Sequence, residues 1–582
     1  MKNRAIPVTV KEYAAIKRTD VPVRIGVPFP TGWLKDSSRL CIRDSSGIYH
    51  MLQVQPLSRW KDKSIQWALL NFLASAEPNS EATWFIEKAD SRHINTTDSE
   101  SSQLQIKKED SDYKIDTGAT TFYLSSGPCF PFQSVIVNDK EILSSQGSKL
   151  ILVGENGRSY HTVIQQLKIE EEGPVVVSLS AHGFFGDQGI APIARFEARL
   201  QFYRGLSAVT FDIQIHNPRA ALHPGGIWDL GDPGSIFFQE MSLVLYRAEK
   251  SSSVIWQVNP NSKPDHADTE FLSLYQDSSG GENWNSPNHI DKDGNLTVSF
   301  RGYKIFTSRN QEPKEFGLRA TPIVQMRMPS AWMAVSVKDF WQNFPKSLTI
   351  SENQLKIGIF PAESPGLYEL QGGEKKRHTL LLDFGEATNS TCFIPHFLEP
   401  LQISISPEWI IKSRTISHFV PEKDDSNTLY LEYINNVIEG ENSFFAKREI
   451  IDEYGWRNFG DVFADHEAVH TEDKSTFISH YNNQFDVVYG AGIHFLRSCD
   501  RRWYELMSQY ARHVMDIDIY HTDEDKSAYN HGQFWHTDHY RPAGRATHRT
   551  YSGDNLDKDL KKSYGGGPSN ENNYTSGLLL YH

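Results

Sequence analysis

The stretch from Tyr529 to Tyr551 concentrates side chains that transfer protons and bind anions. Its histidines titrate near neutral pH and can act as acid, base or neutral hydrogen-bond donor. Its arginines carry forked donors that match a carboxylate. Half of the 22 histidines of the chain lie after residue 465, and this enrichment favours a functional role over a structural one. The candidates for proton transfer and charge neutralisation are His536, His539, Tyr540, His548 and Arg549.

A metal site is the first alternative for the same stretch. His531, His536 and His539 are potential ligands, but their spacing fits no standard zinc pattern and no cysteine lies nearby. We therefore expect no metal and no other cofactor. A calcium ion that bridges an anionic ligand to Asp538 or Asp554 is the remaining alternative.

The composition indicates a soluble protein with an acidic balance. Its 582 residues exceed one ordinary core, and the length predicts about two to four domains. The formal net charge of −14 argues against nucleic-acid binding, although a local cluster of Arg and His can still bind an anionic sugar. The first residues lack the apolar region of a secretory signal, and no run is long and apolar enough to span a membrane. We therefore expect a cytoplasmic protein with no membrane partner.

The first two thirds of the chain have the pattern of β structure. Alternating apolar residues and Pro or Gly turns over residues 1–95 predict a small β-barrel or sandwich. A polar linker from His93 to Gln103 follows. Residues 96–405 predict a large antiparallel β-sandwich, with clear alternation from Ala208 to His216 and buried strands at Val175–Leu179 and Ile236–Tyr246.

The period changes to that of helices in residues 406–582. Apolar residues recur at helical spacing from Thr476 to Arg497, Phe485 included, and again from Arg501 to Tyr520. Ser569 is the expected N-cap of a terminal helix. The long segment before it has no periodicity, and loops of this length are usually functional or disordered. Its aromatic content disfavours disorder.

Several motifs resemble those of the exo-acting rhamnogalacturonan lyases, polysaccharide lyase family 26. They are most specific in the last 130 or so residues and also occur near the N-terminus. The matching segments are Gly26–Pro30, Leu57–Trp60, Tyr454–Asp461, Ser479–Gln484, His513–Asp518, Phe534–Tyr540, Thr547–Arg549 and Tyr564–Asn570.

The resemblance implies an architecture of a RIFT-type barrel, a central β-sandwich and a C-terminal α/α toroid. This order agrees with the β, larger β, then α pattern of the sequence. A full toroid needs more helices than the chain offers before His582, so the resemblance also implies that the toroid is incomplete.

The resemblance implies cleavage of rhamnosyl-(1→4)-galacturonate bonds of an anionic polysaccharide by β-elimination. Such a reaction needs a cation or donor set on the uronate carboxylate, a base at C5 and an acid at the leaving oxygen. The five candidates named first would fill these roles. The expected substrate-binding residues are Trp456, Arg457, Tyr481, Asn482, Trp535 and Arg545. Tyr481 also lies on the apolar stripe of its predicted helix, which favours core packing.

Two other functions remain open from the residues alone. A glycoside hydrolase would use paired carboxylates, for which Glu453, Asp461, Asp465 and Glu467 are available. A non-catalytic sugar-binding protein, or an inactive fragment, is the third hypothesis.

Overall fold

The computed structural model describes residues 5–88, 104–187, 190–309, 312–389, 391–461, 485–534, 549, 556–557, 562–563, 567–569 and 574–582. Two sheets of the first domain enclose one apolar core, which includes Val8, Val27 and Phe72. The strands of this barrel are β1 Ile6–Lys11, β2 Arg18–Pro28, β3 Leu40–Arg43, β4 Tyr49–His50, β5 Leu52–Arg59, β6 Ile65–Ala76 and β7 Glu81–Lys88.

A small five-stranded antiparallel sheet follows the barrel. Its strands are β8 Gln105–Glu109, β9 Asp112–Asp116, β10 Thr121–Leu124, β11 Phe132–Val137 and β12 Lys140–Glu141.

Seventeen further strands, joined by antiparallel hydrogen bonds, form the large sandwich. They are β13 Leu143–Gly154, β14 Ser159–Glu172, β15 Val176–Asp187, β16 Ile190–Tyr203, β17 Val209–His216, β18 Ile236–Arg247, β19 Ser253–Gln257, β20 Asp265–Ala267, β21 Leu272–Gln276, β22 Tyr303–Phe306, β23 Glu315–Gly317, β24 Ile323–Arg327, β25 Ala331–Val337, β26 Lys346–Ser351, β27 Gln354–Phe360, β28 Tyr368–Leu370 and β29 Lys375–Glu386.

Alternation places the apolar side chains of these strands in a common core. In β17, Val209, Phe211, Ile213 and Ile215 are all buried, as the period of two predicts. The expected buried strands are confirmed as parts of β15 and β18.

The chain then returns to the barrel before it becomes helical. Strand β30, Gln402–Ile405, pairs antiparallel with β1, and Ile405 joins the barrel core. The helices are α1 Ile394–Leu398, α2 Pro407–Ser413, α3 Thr428–Ile438, α4 Phe444–Ile451, α5 Gly455–Asn458, α6 Val487–Ser498, α7 Arg501–His513 and α8 Thr575–Tyr581, with a π-helical turn at Val514–Asp518 and a two-stranded pair of β31 Leu556–Asp557 and β32 Lys562–Ser563. The barrel, sheet-rich body and helical end confirm the predicted β-then-α class; the toroid and the domain boundaries stay predictions.

Two predicted details of the helical region are wrong. Phe485 lies before α6 and is 75% exposed, because Asp486 caps the helix by accepting from the main-chain N–H of Tyr489. Ser569 does not cap the terminal helix, which begins at Thr575; it instead bridges to Gln533. Among the described helices, none is long and apolar enough to cross a membrane.

Asp516 joins the helical region to the sandwich. Its carboxylate accepts from the side chain of Gln214 at 2.7 Å and from the main-chain N–H of Arg377 at 2.8 Å. These bonds fix the π-helical turn against β17 and β29. The position of the helical end on the sandwich is therefore set by polar contacts as well as by apolar packing.

Candidate functional site

A cavity of about 310 Å³ lies where α5 packs against the sandwich. Its size is at the lower end of the range for small-molecule sites. Four segments supply most of its wall: residues 288–293, 344–345, 364–369 and 454–458. Two of the predicted substrate-binding residues, Trp456 and Arg457, are part of this wall.

Gly455 positions these two residues. Its φ of 89° is a left-handed conformation that glycine adopts without steric cost, and a Cβ there would lie 3.3 Å from the ring of Phe344. The main-chain N–H groups of Gly455 and Trp456 donate to the carbonyls of Gln342 and Phe344 at 2.8 and 3.0 Å. The turn into α5 is therefore held on the sandwich by backbone bonds.

Trp456 packs against the sandwich core and also lines the cavity. Its indole meets the ring of Phe360 edge-on at a centroid distance of 5.2 Å and packs against the sandwich core. The guanidinium of Arg457 lies 4.6 Å from the indole centroid, within cation–π range. A flat aromatic wall next to a cation suits an anionic sugar.

Arg457 contacts two acidic residues of the sandwich. Its Nη2 donates to the main-chain carbonyl of Glu369 and lies 3.5 Å from the carboxylate of Glu374. The side chain is 13% exposed. Among the described residues, its buried Nε has no hydrogen-bond acceptor. The forked guanidinium therefore has donor capacity left for a ligand.

Glu369 is an acidic group in the same wall. Its Oε1 accepts from the main-chain N–H of Gly231 at 2.7 Å and from Ser235 Oγ at 2.6 Å. Burial raises the pKa of this carboxyl, and the nearby Arg457 opposes the rise. The group is therefore less readily ionised than an ordinary glutamate.

Asn288 and His289 also line the cavity, and no motif or spacing in the sequence predicts either of them. The Asn288 side chain is buried, and neither of its amide atoms has a hydrogen-bond partner within the described part of the chain. A buried polar group left in this state costs about 1–3 kcal/mol. His289 Nε2 lies 2.7 Å from Asp452 Oδ2, a partner 163 residues away that no local spacing indicates.

Most of the predicted catalytic stretch lies outside the described residues. This applies to Trp535, His536, His539, Tyr540, Arg545 and His548, and also to Tyr481 and Asn482. His531 is described; its Nε2 lies 2.8 Å from Asp523, and the residues described here contain no group of three potential metal ligands.

Arg549 is described and is fully buried. Its Nη1 donates to the carbonyl of Gly372 at 2.7 Å, and its guanidinium lies 4.8 Å from the ring centroid of Phe534. Burial lowers the pKa of the guanidinium, and the charge of Glu374 opposes the change. Glu374 thus lies 3.5 Å from Arg457 and also interacts electrostatically with Arg549.

The acids considered for hydrolysis lie apart from the cavity lining. Glu453 and Asp461 are fully buried, and neither borders the cavity. Asp461 lies 3.9 Å from the buried His513. Asp465 and Glu467 fall outside the described residues.

Comparison with known families identifies the first domain. Residues 12–87 match the family described as the PcRGLX-like N-terminal RIFT barrel domain. This domain therefore resembles a PcRGLX-like RIFT barrel. The match confirms the predicted resemblance to the exo-rhamnogalacturonan lyase-like family in this domain.

Solved structures resemble this chain only distantly. A glycosyl hydrolase family 38 protein from Enterococcus faecalis is 10% identical, with a TM-score of 0.38 over 69% of this chain and 47% of that one. An alpha-mannosidase from Enterococcus faecalis V583 is 10% identical, with a TM-score of 0.34 over 69% of this chain and 46% of that one. A galactose mutarotase related enzyme from Lactobacillus acidophilus is 10% identical, with a TM-score of 0.25 over 47% of this chain and 97% of that one.

The chain therefore spans less than half the length of the first two proteins, and at these scores the likeness carries no argument about function. No curated protein matches the chain.

Proposed function

We propose that the protein is a polysaccharide lyase that cleaves rhamnosyl-(1→4)-galacturonate bonds of rhamnogalacturonan by β-elimination. The observation that carries the proposal is the match of residues 12–87 to the PcRGLX-like RIFT barrel domain. The cavity beside α5 supports it, because an aromatic wall and a cation with spare donors meet there.

The first requirement of the reaction is to neutralise the uronate carboxylate. The C5 proton is alpha to that group, and its removal leaves charge that fixed donors must stabilise. Arg457 is our candidate for this role, and Trp456 is our candidate for the sugar face. Arg549 adds a second positive charge near Glu374 from its buried position.

The acid role and further substrate contacts in the proposal belong to residues predicted from the sequence. We assign delivery of a proton to the leaving oxygen to the group of His536, His539, Tyr540 and His548, and further substrate contacts to Tyr481, Asn482, Trp535 and Arg545. The reaction as proposed uses the groups of the chain itself and an anionic polysaccharide or oligosaccharide as substrate.

Incubation with rhamnogalacturonan tests the proposal. We expect unsaturated products that absorb ultraviolet light, and we expect Arg457→Ala to abolish their formation. Saturated reducing sugars would contradict the lyase assignment. A complete lack of products would favour a sugar-binding protein without catalytic activity.

Glycoside hydrolysis is the second candidate, and Glu369 is the observation that favours it. A carboxyl whose pKa is raised by burial, in the wall of a cavity, has the property of a general acid. If the protein is a hydrolase, the wild type would release saturated sugars and Glu369→Gln would lose this activity. The lyase proposed here would keep making unsaturated products in that variant, because it assigns no role to the carboxyl of Glu369.

A further inference from the structure

His289 and Asp452 form a buried pair at the edge of the cavity. Nε2 of the imidazole lies 2.7 Å from Oδ2 of the carboxylate, and the two side chains are 4% and 0% exposed. A carboxylate only accepts hydrogen bonds, so Nε2 carries a hydrogen, and in the neutral form of the ring the lone pair is on Nδ1. Among the residues that the structure describes, Nδ1 has no hydrogen-bond partner.

Asp452 is itself held in place from the other side. Ser279 Oγ donates to its Oδ1, and the main-chain N–H of Gly281 donates to Ser279 Oγ at 3.0 Å. The backbone of Asp452 is left-handed, with φ of 58°, and its carbonyl accepts from the N–H of Tyr454 at 2.7 Å. This arrangement fixes both the orientation and the tautomer of His289.

The same cavity contains the groups that would hold a sugar next to this imidazole. Trp456 and Arg457 supply an aromatic surface and a cation, and Asn288 adds a buried amide without partners in the described residues. An amide donates to and accepts from sugar hydroxyls. A proton acceptor and an anion-binding cation therefore border one space.

We propose that His289 is the base that removes the C5 proton of a uronate bound in this cavity, with Asp452 as its positioning residue. The inference rests on the proposed lyase function. Nδ1 takes the C5 proton while Arg457 neutralises the carboxylate. The electron pair of the C5–H bond forms the C4=C5 double bond, and the C4–O bond breaks with its electrons on oxygen. The acid of the proposed mechanism protonates that oxygen, and the imidazolium releases its proton to solvent.

Two variants that preserve local packing test this role. His289→Gln removes the base, and we expect kcat for unsaturated product to fall by about 10²–10⁴-fold. Asp452→Asn suits the left-handed backbone and can still accept from Ser279. Its amide would donate to Nε2 and so place the ring hydrogen on Nδ1, which blocks the base. We expect a fall in kcat of at least about 10²-fold there too, with KM changed by less than about threefold in both variants.

The matched control is His50→Gln in the barrel, where His50 Nε2 lies 3.0 Å from Asp44 Oδ2 outside the cavity. We expect wild-type kcat in this variant. We also expect added imidazole to restore part of the activity of His289→Ala, which a merely structural histidine would not allow. Calorimetry with a rhamnogalacturonan oligosaccharide should show that His289→Gln still binds.

The outcomes separate the two proposals. If the wild-type protein makes no unsaturated product, the proposed function and this inference both fall. If the wild type is active and folded His289→Gln keeps its kcat, only this inference is overturned. A rise in KM with unchanged kcat would make His289 a binding residue and would equally overturn its role as base.

Discussion

Arg457 Nη2 lies 3.5 Å from the carboxylate of Glu374, the same buried carboxylate that interacts with Arg549. Two cations therefore act on one anion close to the cavity, and Arg549 also interacts electrostatically with Asp232. Burial makes the neighbouring Glu369 harder to ionise, which leaves less negative charge beside Arg457.

We expect Arg457→Lys to weaken the binding of a uronate-containing oligosaccharide by about 10-fold or more, because hydrogen bonds to charged groups contribute about 1.5–3 kcal/mol. A lysine keeps the charge but loses the forked donors. Calorimetric titration measures the change. Arg199→Lys is the control, since Arg199 pairs with Glu170 on the sandwich and lies outside the cavity. Equal affinities of the two variants would argue against a carboxylate contact at Arg457.

Gly455→Ala tests whether the turn into α5 shapes the cavity. A left-handed alanine costs about 1–2 kcal/mol, and its Cβ would also meet the ring of Phe344 at 3.3 Å. Gly440→Ala is a matched control, because φ is 83° there and a Cβ would meet nothing within 4 Å. We expect the two variants to lose a similar free energy of unfolding from the backbone strain, as measured with denaturant. Only Gly455→Ala should lose substrate binding. Normal binding in that variant would show that the turn tolerates the methyl group.

The sequence predicted those features that depend on neighbours along the chain. The alternation from Val209 to Ile215 and the helical spacing from Trp503 to Val514 both reach the core as expected. The cavity depends on pairs that only the tertiary fold brings together. His289 meets Asp452 across 163 residues, and no period or spacing marks either of them.

Trp456 and Arg457, predicted from the family resemblance of Tyr454–Asp461, both line the cavity. By contrast, Phe485 was assigned to a helix from its apolar character. A capping aspartate at the next position starts α6 only after it and leaves the ring exposed. Capping by a single side chain thus outweighed the apolar periodicity at this boundary.

Arg18→Met should strongly destabilise the barrel. Arg18 Nη2 lies 2.8 Å from Glu12 Oε1, both side chains are buried, and Nη1 lies 3.1 Å from Nδ1 of His396. Removal of one partner leaves a buried charge unpaired, which costs about 3–5 kcal/mol. The adjacent Lys17 pairs with Glu77 at 3.3 Å in a largely exposed position, so Lys17→Met should cost no more than about 1 kcal/mol. Denaturant unfolding of both variants measures the difference; equal costs would contradict the role of burial.

Acid should loosen the contact between sandwich and helical region through His216 and His521. His216 Nε2 donates to the carbonyl of His521 at 2.7 Å, and His521 Nε2 donates to the carbonyl of Met515 at 2.7 Å. Burial lowers the pKa of His216 to about 4 and that of His521 to about 3. Both rings are therefore neutral in the folded protein at neutral pH, while the unfolded chain binds protons near pH 6.5.

Because the pKa values of both histidines are lower in the folded protein than in the unfolded chain, acid destabilises the fold. Their contribution to stability is present above pH 6.5 or so and is lost as the pH falls towards about 4 and then about 3. For His216 the full loss is on the order of 3 kcal/mol. His216→Gln keeps an N–H donor but does not titrate, so its unfolding temperature should fall less than that of the wild type between pH 7 and pH 4. His266→Gln, at an exposed position of β20, should follow the wild type. If the unfolding temperature of His216→Gln falls as much as that of the wild type between pH 7 and pH 4, the acid sensitivity comes from other groups.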